Sequence, residues 1–244
     1  MLDLIEDVKA ALRASRQGAA ILNLGAFDTF PELAGRLFAQ ISGNAAVGST
    51  VQSVYAADRT LVEATTYDIA ETARRNFEPG GAAATLLFAR GAHAVMAHRV
   101  AHKIWADGDT TLALAIKASC ARVLSTDIHP ATQIGAGFWL DHGLGFVAGE
   151  TSVIEEDVSI WHNVTLGSTL NTGGARRHPH ICTGVVIGAG ATILGEVTIG
   201  ANANISAGAI VLEDVPKGMR ALATKATVRG TARLSFLSTK GSNQ

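Results

Sequence analysis

Cysteine is scarce in this chain of 244 residues: Cys120 and Cys182 lie far apart and in no C-x-x-C pair. That excludes a disulfide framework and the common thiolate spacings for metal or redox work, and it predicts a reducing, cytoplasmic setting. An excess of one charge is missing too. Lys plus Arg number 20 against 21 Asp plus Glu, a formal net charge of -1, so no global field favours nucleic acid or an anionic membrane. Small molecules or protein are the expected partners. No apolar run approaches the roughly 18 residues of a membrane span, and the opening MLDLIEDVKAALRA is acidic where a signal peptide is basic. What the chain does have is 48% hydrophobic residues, enough for a real core in one large domain or two modest ones.

Two periods divide it. Leu2, Ile5, Val8 and Leu12 recur at helical spacing, as do apolar residues over Thr60 to Asn76 and Ala82 to Leu124, with Gly108 as a helix-ending glycine. From Asp127 the period becomes six. Ile128, Ile134, Leu140, Phe146, Ser152, Val158 and Val164 are six apart, and Ile181, Ile187, Ile193, Ile199, Ile205 and Val211 resume the count. Small residues follow in IGAGAT, IGANAN and ISAGAI, as tight corners require. Three short strands per triangular turn, stacked to bury an aliphatic ladder, satisfy this pattern. An ordinary sandwich would show period two and irregular turns.

Two interruptions draw attention. GFWLDHGLGF sets two titratable residues, Asp141 and His142, side by side in a run otherwise glycine and large apolar; if extended, they point to opposite faces and must do different jobs. GSTLNTGGARRHPH, between Val164 and Ile181, is polar and out of phase, so it predicts a loop thrown out from the coil, where function is preferentially carried.

The motifs DIHP, LDH, GET and RHP, set within hexapeptide repeats over about residues 86 to 216, resemble the hexapeptide-repeat acyltransferases and, within them, the serine O-acetyltransferases of cysteine biosynthesis. The resemblance implies an α+β chain. Residues 1–125 would form an α-helical domain, 126–216 a left-handed parallel β-helix with a loop at 167–180, and 217–244 a tail. The left-handed winding is an exception to the usual crossover rule. It also implies a homotrimer, possible pairing of trimers into hexamers, and sites between neighbouring coils, so that one chain holds half a site.

The chemistry expected is acetyl transfer from acetyl-CoA to the hydroxyl of L-serine, giving O-acetylserine. An alcohol needs its proton removed as it attacks, and a histidine with an ordinary pKa of ~6.5 is the natural base. By resemblance His142 is that base and Asp127 orients its ring. Asp141 contacts the acceptor ammonium, Arg177 offers its fork of donors to the acceptor carboxylate, and His178 hydrogen-bonds the acceptor or helps place its hydroxyl. Glu150 stands behind them. Arg176 competes with Arg177 for the guanidinium role, and adjacency to His178 favours Arg177. Gly188, Ala189, Ser206 and Ala207, with Ser168 and Thr169, match positions along the pantetheine arm, where small residues admit close approach.

The chain departs from the family in places. Asn76 falls where the family has an acceptor-binding acid, and Glu78 is the nearest carboxylate. Asn204 replaces a lysine near CoA, and the tail does not end in the isoleucine that family members insert into the following sulfhydrylase, so that complex is not expected. Other acceptors, homoserine, another hydroxy amino acid or a sugar, stay open, as does a non-catalytic scaffold. A zinc hydrase of the same coil would need three converging histidines. Only His162, His178 and His180 loosely suit, and no metal is expected.

Overall fold

The structure, a computed structural model, describes residues 2–169 and 176–230, with only the backbone of Leu2. The first half is helical: α1 (Leu2–Ala14), α2 (Arg16–Leu22), α3 (Phe30–Ser42), α4 (Ala45–Ala57), α5 (Arg59–Arg75), α6 (Gly81–Phe88), α7 (Arg90–Ala106) and α8 (Thr110–Leu124). The boundaries follow from local chemistry. Ser15, Thr29, Asn44, Asp58 and Asp109 each accept a backbone N–H at a helix start, and Thr29 with Glu32 forms a full capping box. Gly108, at φ 99, follows the end of α7. No helix among the described residues is long and apolar enough to cross a membrane.

Short strands then wind in turns of three. The first turn holds β1 (Asp127–Ile128), β2 (Gln133–Ile134) and β3 (Trp139–Leu140), and the second β4 (Val147–Ala148), β5 (Val153–Ile154) and β6 (Ser159–Ile160). The third holds β7 (Thr165–Gly167), β8 (His180–Ile181) and β9 (Val186–Ile187), and the fourth β10 (Thr192–Leu194), β11 (Thr198–Ile199) and β12 (Asn204–Ile205). Finally β13 (Ile210–Val211) and β14 (Arg220–Ala221) extend the stack, β14 falling in the stretch expected to be tail. All pairing is parallel, in the orders β1-β4-β7-β10-β13, β2-β5-β8-β11 and β3-β6-β9-β12-β14. These are the first, second and third faces of a three-sided prism. One buried apolar cluster runs through both the helices and the prism.

The registers correct one expectation. Ala148 pairs with Leu166, eighteen residues on, as three sixes require, but Ile128 pairs with Ala148, twenty on. Two extra residues therefore sit between Leu140 and Ala148, and the ladder passes through Ala148, Ile154, Ile160 and Leu166. Phe146, Ser152, Val158 and Val164 occupy the slot two residues earlier in each strand. They are buried nonetheless, because alternate residues of a strand share a face. The larger interruption adds nine residues: Leu166 pairs with Ile193, twenty-seven on. Residues 170–175 of that loop and 231–244 of the tail lie outside the described residues.

A buried ion pair ties the helices to the first turn. Asp68 of α5 accepts from Arg99 of α7 at 2.5 and 2.9 Å and from the backbone N–H groups of Gly137 and Phe138 at 2.8 and 3.1 Å. Arg99 in turn donates to the carbonyls of Ile134 and Gly135. Every polar atom of the pair faces a partner, as burial demands.

Candidate active site

The two extra residues make the corner that carries Asp141 and His142. Asp141 N–H donates to Ile160 O at 2.8 Å, which continues the ladder, and the chain then reverses: Gly143 N–H donates back to Asp141 O at 2.7 Å across His142, whose φ is 60. A three-residue turn with a positive φ at a non-glycine centre is an uncommon, strained backbone. It also changes how the pair is disposed. The expectation of opposite faces assumed extended backbone; the reversal instead brings His142 Nε2 within 3.2 Å of Asp141 Oδ2. Asp141 is largely buried, whereas the His142 side chain is 61% exposed.

Helix α7 buttresses this corner at close range. A β-carbon on Gly91 would lie 1.7 Å from Leu140 O, and one on Gly143 would lie 3.2 Å from the Gly91 Cα. Above the corner opens a cavity of about 330 Å3, walled by Asn76, Glu78, Arg90, Asp141 and His142 among others. Asn76 Nδ2 donates to Glu78 Oε2 at 2.8 Å, so Glu78 reaches the cavity at the end of α5. The His162 ring, one turn further along, lies 5.3 Å from that of His142, edge to face.

Asp127, expected to orient the His142 ring, begins β1, and its carboxylate is paired with Lys117 of α8. Among the described residues, the carboxylate paired with the His142 ring is Asp141.

Arg177 and His178 sit elsewhere. Arg177 Nη2 donates to Glu150 at 2.7 Å and its backbone N–H to Thr151 Oγ1 at 3.1 Å. His178 is buried against Gly149, where a β-carbon would come within 1.9 Å of its Nε2. The Thr151 N–H donates to His178 Nδ1 at 3.2 Å. A backbone N–H only donates, so Nδ1 is unprotonated and the proton of the neutral ring is on Nε2. Burial, with Arg177 adding to it, pushes the pKa of His178 down. Arg176 turns instead to Glu196 and Thr198.

The prism geometry sorts these groups. Asp141, His142, Gly188, Ala189, Ser206 and Ala207 all lie on the edge between the third and first faces, on the first, third and fourth turns. Gly188 is tight there: a β-carbon would meet Ala207 N at 2.5 Å. Glu150, Ser168, Thr169, Arg177 and His178 lie on the edge between the first and second faces. One chain thus brings the base candidate and the small-residue corners together and keeps the Arg177–His178 pair apart from them. Residue reasoning missed Gly91, Lys117 and Thr151. Gly91 had a signal, since a glycine inside a helix costs about 1 kcal/mol and calls for a packing reason.

No family model matches the chain. Serine acetyltransferase of Escherichia coli K12 is 41% identical over 198 residues, 81% of this chain and 72% of that protein. Serine acetyltransferase 2 of Arabidopsis thaliana is 52% identical over 131 residues, 54% of this chain and 40% of that one. Among solved structures, the Neisseria gonorrhoeae serine acetyltransferase in complex with serine matches with a TM-score of 0.79 at 34% identity, covering 92% of this chain and 95% of that one. The Brucella abortus enzyme in complex with coenzyme A gives 0.81 at 32%, covering 91% and 92%. The shared fold is the left-handed parallel β-helix behind a helical domain. With identity of 41% over most of both sequences, the chain belongs to the serine acetyltransferase family.

Proposed function

We propose that His142 is the base with which this member of the family carries out the acetyl-CoA-dependent O-acetylation of L-serine. The serine hydroxyl attacks the thioester carbonyl while His142 takes its proton; the tetrahedral intermediate then expels CoA thiolate, which recovers that proton as the thiol. What supports it is the corner itself. A strained turn holds the imidazole out over a polar cavity, beside a carboxylate 3.2 Å away. The neighbouring carboxylates then divide the work. Asp141 and Glu78 face the acceptor ammonium, Glu78 standing in for the acid missing at Asn76. Asp127 leaves Lys117 to steady the imidazolium as it forms.

The same reading requires a second chain. Arg177 and His178, on another edge, complete the acceptor site of a neighbour when three prisms pack about a common axis. Acetyl-CoA lies along the edge marked by Gly188, Ala189, Ser206 and Ala207, with Ser168 and Thr169 of the adjoining chain near its far end. Pairing of trimers through the helices, and a cytoplasmic setting in keeping with two free cysteines, belong to the same proposal.

Thiol release from acetyl-CoA with L-serine is the test. His142→Ala should lower kcat by about 10² to 10⁴; full turnover in that variant would remove His142 from the role. A panel of serine, homoserine and sugars scored by kcat/KM should rank serine first, and a sugar preferred over every amino acid would overturn the acceptor assignment.

A further inference from the structure

The third edge of the prism, between the second and third faces, carries none of the residues assigned to acetyl transfer. It carries another cluster. Val153 pairs with His180 and Ile154 with Ile181, so Glu155 and Cys182, each one residue further, emerge side by side at the start of that edge. His180 stands on the same face, two residues before Cys182. The imidazole nitrogen, the thiol sulfur and a carboxylate oxygen of these three lie within 4.8 Å of one another.

We propose that Glu155, His180 and Cys182 form a binding site for a divalent transition-metal ion of the zinc class. The donor set is the first reason. One nitrogen, one sulfur and one oxygen ligand suit borderline-soft Zn(II) far better than Mg(II) or Ca(II), which take oxygen. Orientation is the second. Thr183 donates its N–H and its hydroxyl to Glu155 Oε2, at 2.8 and 2.9 Å, leaving Oε1 turned to His180 Nε2 at 2.7 Å. A carboxylate so held by an outer partner is the usual support of a metal ligand. Scale is the third. Bonds of 2.0 to 2.3 Å in a tetrahedron put ligand atoms roughly 3.3 to 3.7 Å apart, so Oε1 and Nε2 must part by about 0.8 Å and the sulfur close in. Those are side-chain adjustments on two hydrogen-bonded strands. Access is the fourth: an open groove of about 660 Å3, bounded by His102 and Gln133, reaches Glu155 and the Thr183 that orients it. Binding replaces the Glu155–His180 hydrogen bond, with the ring proton moving to Nδ1, and releases the thiol proton to solvent.

Cobalt(II) reads the site directly, because a thiolate ligand gives it a charge-transfer absorption that nitrogen and oxygen ligands do not. The full-length chain, freed of metal with a chelator, is titrated with Co(II) and then with Zn(II). One thiolate-to-cobalt band per chain should form and be displaced by an equivalent of zinc. Cys182→Ser and His180→Gln should lose the band while keeping the far-ultraviolet dichroism of the parent; Cys120→Ser should keep it; Thr183→Val should weaken zinc binding about 10-fold. No band in the parent, or a band that survives Cys182→Ser, overturns the proposal.

Discussion

Gly91 of α7 and Leu140 of the first turn meet backbone to backbone, so closely that a β-carbon on Gly91 would lie 1.7 Å from the Leu140 carbonyl oxygen. The helical half therefore sets the position of the Asp141–His142 corner, which begins at the next residue. Two consequences of Gly91→Ala oppose each other. Alanine favours a helix interior by about 1 kcal/mol and gains less in the first turn, where Gly91 sits, whereas overpacking costs about 1 to 3 kcal/mol. The neighbour here is a main-chain oxygen that cannot swing aside, so overpacking wins. Urea midpoints should fall and kcat should drop at least about tenfold. A variant as stable and as active as the parent would show that the corner is positioned by something else.

The carboxylates around His142 can be told apart by kinetics. Asp127→Asn should lower kcat about tenfold or more and leave KM nearly unchanged, because it acts on the imidazolium of the transition state. Asp141→Asn and Glu78→Gln should act mainly on the KM for serine, since ammonium binding is made in the ground state as well. The reverse pattern would give Asp141, already beside the ring, the orienting role.

Arg99→Met leaves Asp68 buried and short of its bidentate partner, beside two backbone N–H groups. Breaking a buried pair in this way costs about 3 to 5 kcal/mol. Denaturant unfolding should show that loss, and tryptophan emission should report it in the first turn, where Trp139 sits next to the clamp. Replacing both members, Asp68→Leu with Arg99→Met, should recover part of the stability; a double variant weaker than the single one would rule out the unpaired carboxyl group as the cause.

Acid should weaken the fold through histidine before it reaches most carboxylates. His98 is buried and its pKa is held well below the ordinary value, chiefly by burial, and His93, His129 and His178 are lowered for the same first reason. In the unfolded chain these rings take up protons near pH ~6.5. The unfolded state thus binds more protons, and stability falls as pH drops through that value. Glu71, held at about 2 by Arg74 and Arg75, acts only at lower pH. Urea midpoints measured between about pH 7.5 and pH 5.5 should decline, and His98→Gln should flatten the slope. A flat profile in the parent would mean that the buried rings gain protons without unfolding.

Period six and small corner residues were enough to define the coil, because each rung of a solenoid repeats one local solution and leaves its signature in the residue order. The helix end near Gly108 was legible for a similar reason: a terminating glycine acts on its near neighbours. Asp141 and His142 could be singled out as two titratable groups in an apolar run, and LDH and RHP named the family. What tertiary structure decided is register and proximity. The two extra residues between Leu140 and Ala148 became visible only through pairing partners, since Phe146, Ser152, Val158 and Val164 keep an apparent period while standing two residues off the rungs. The reversal at His142, the contact with Gly91, the Lys117–Asp127 pair and the convergence of Glu155, His180 and Cys182 each join groups whose relation depends on backbone angles or on stacking across turns. Local residue order carries local rules, and a distance between residues far apart in it is set by the packing of the whole.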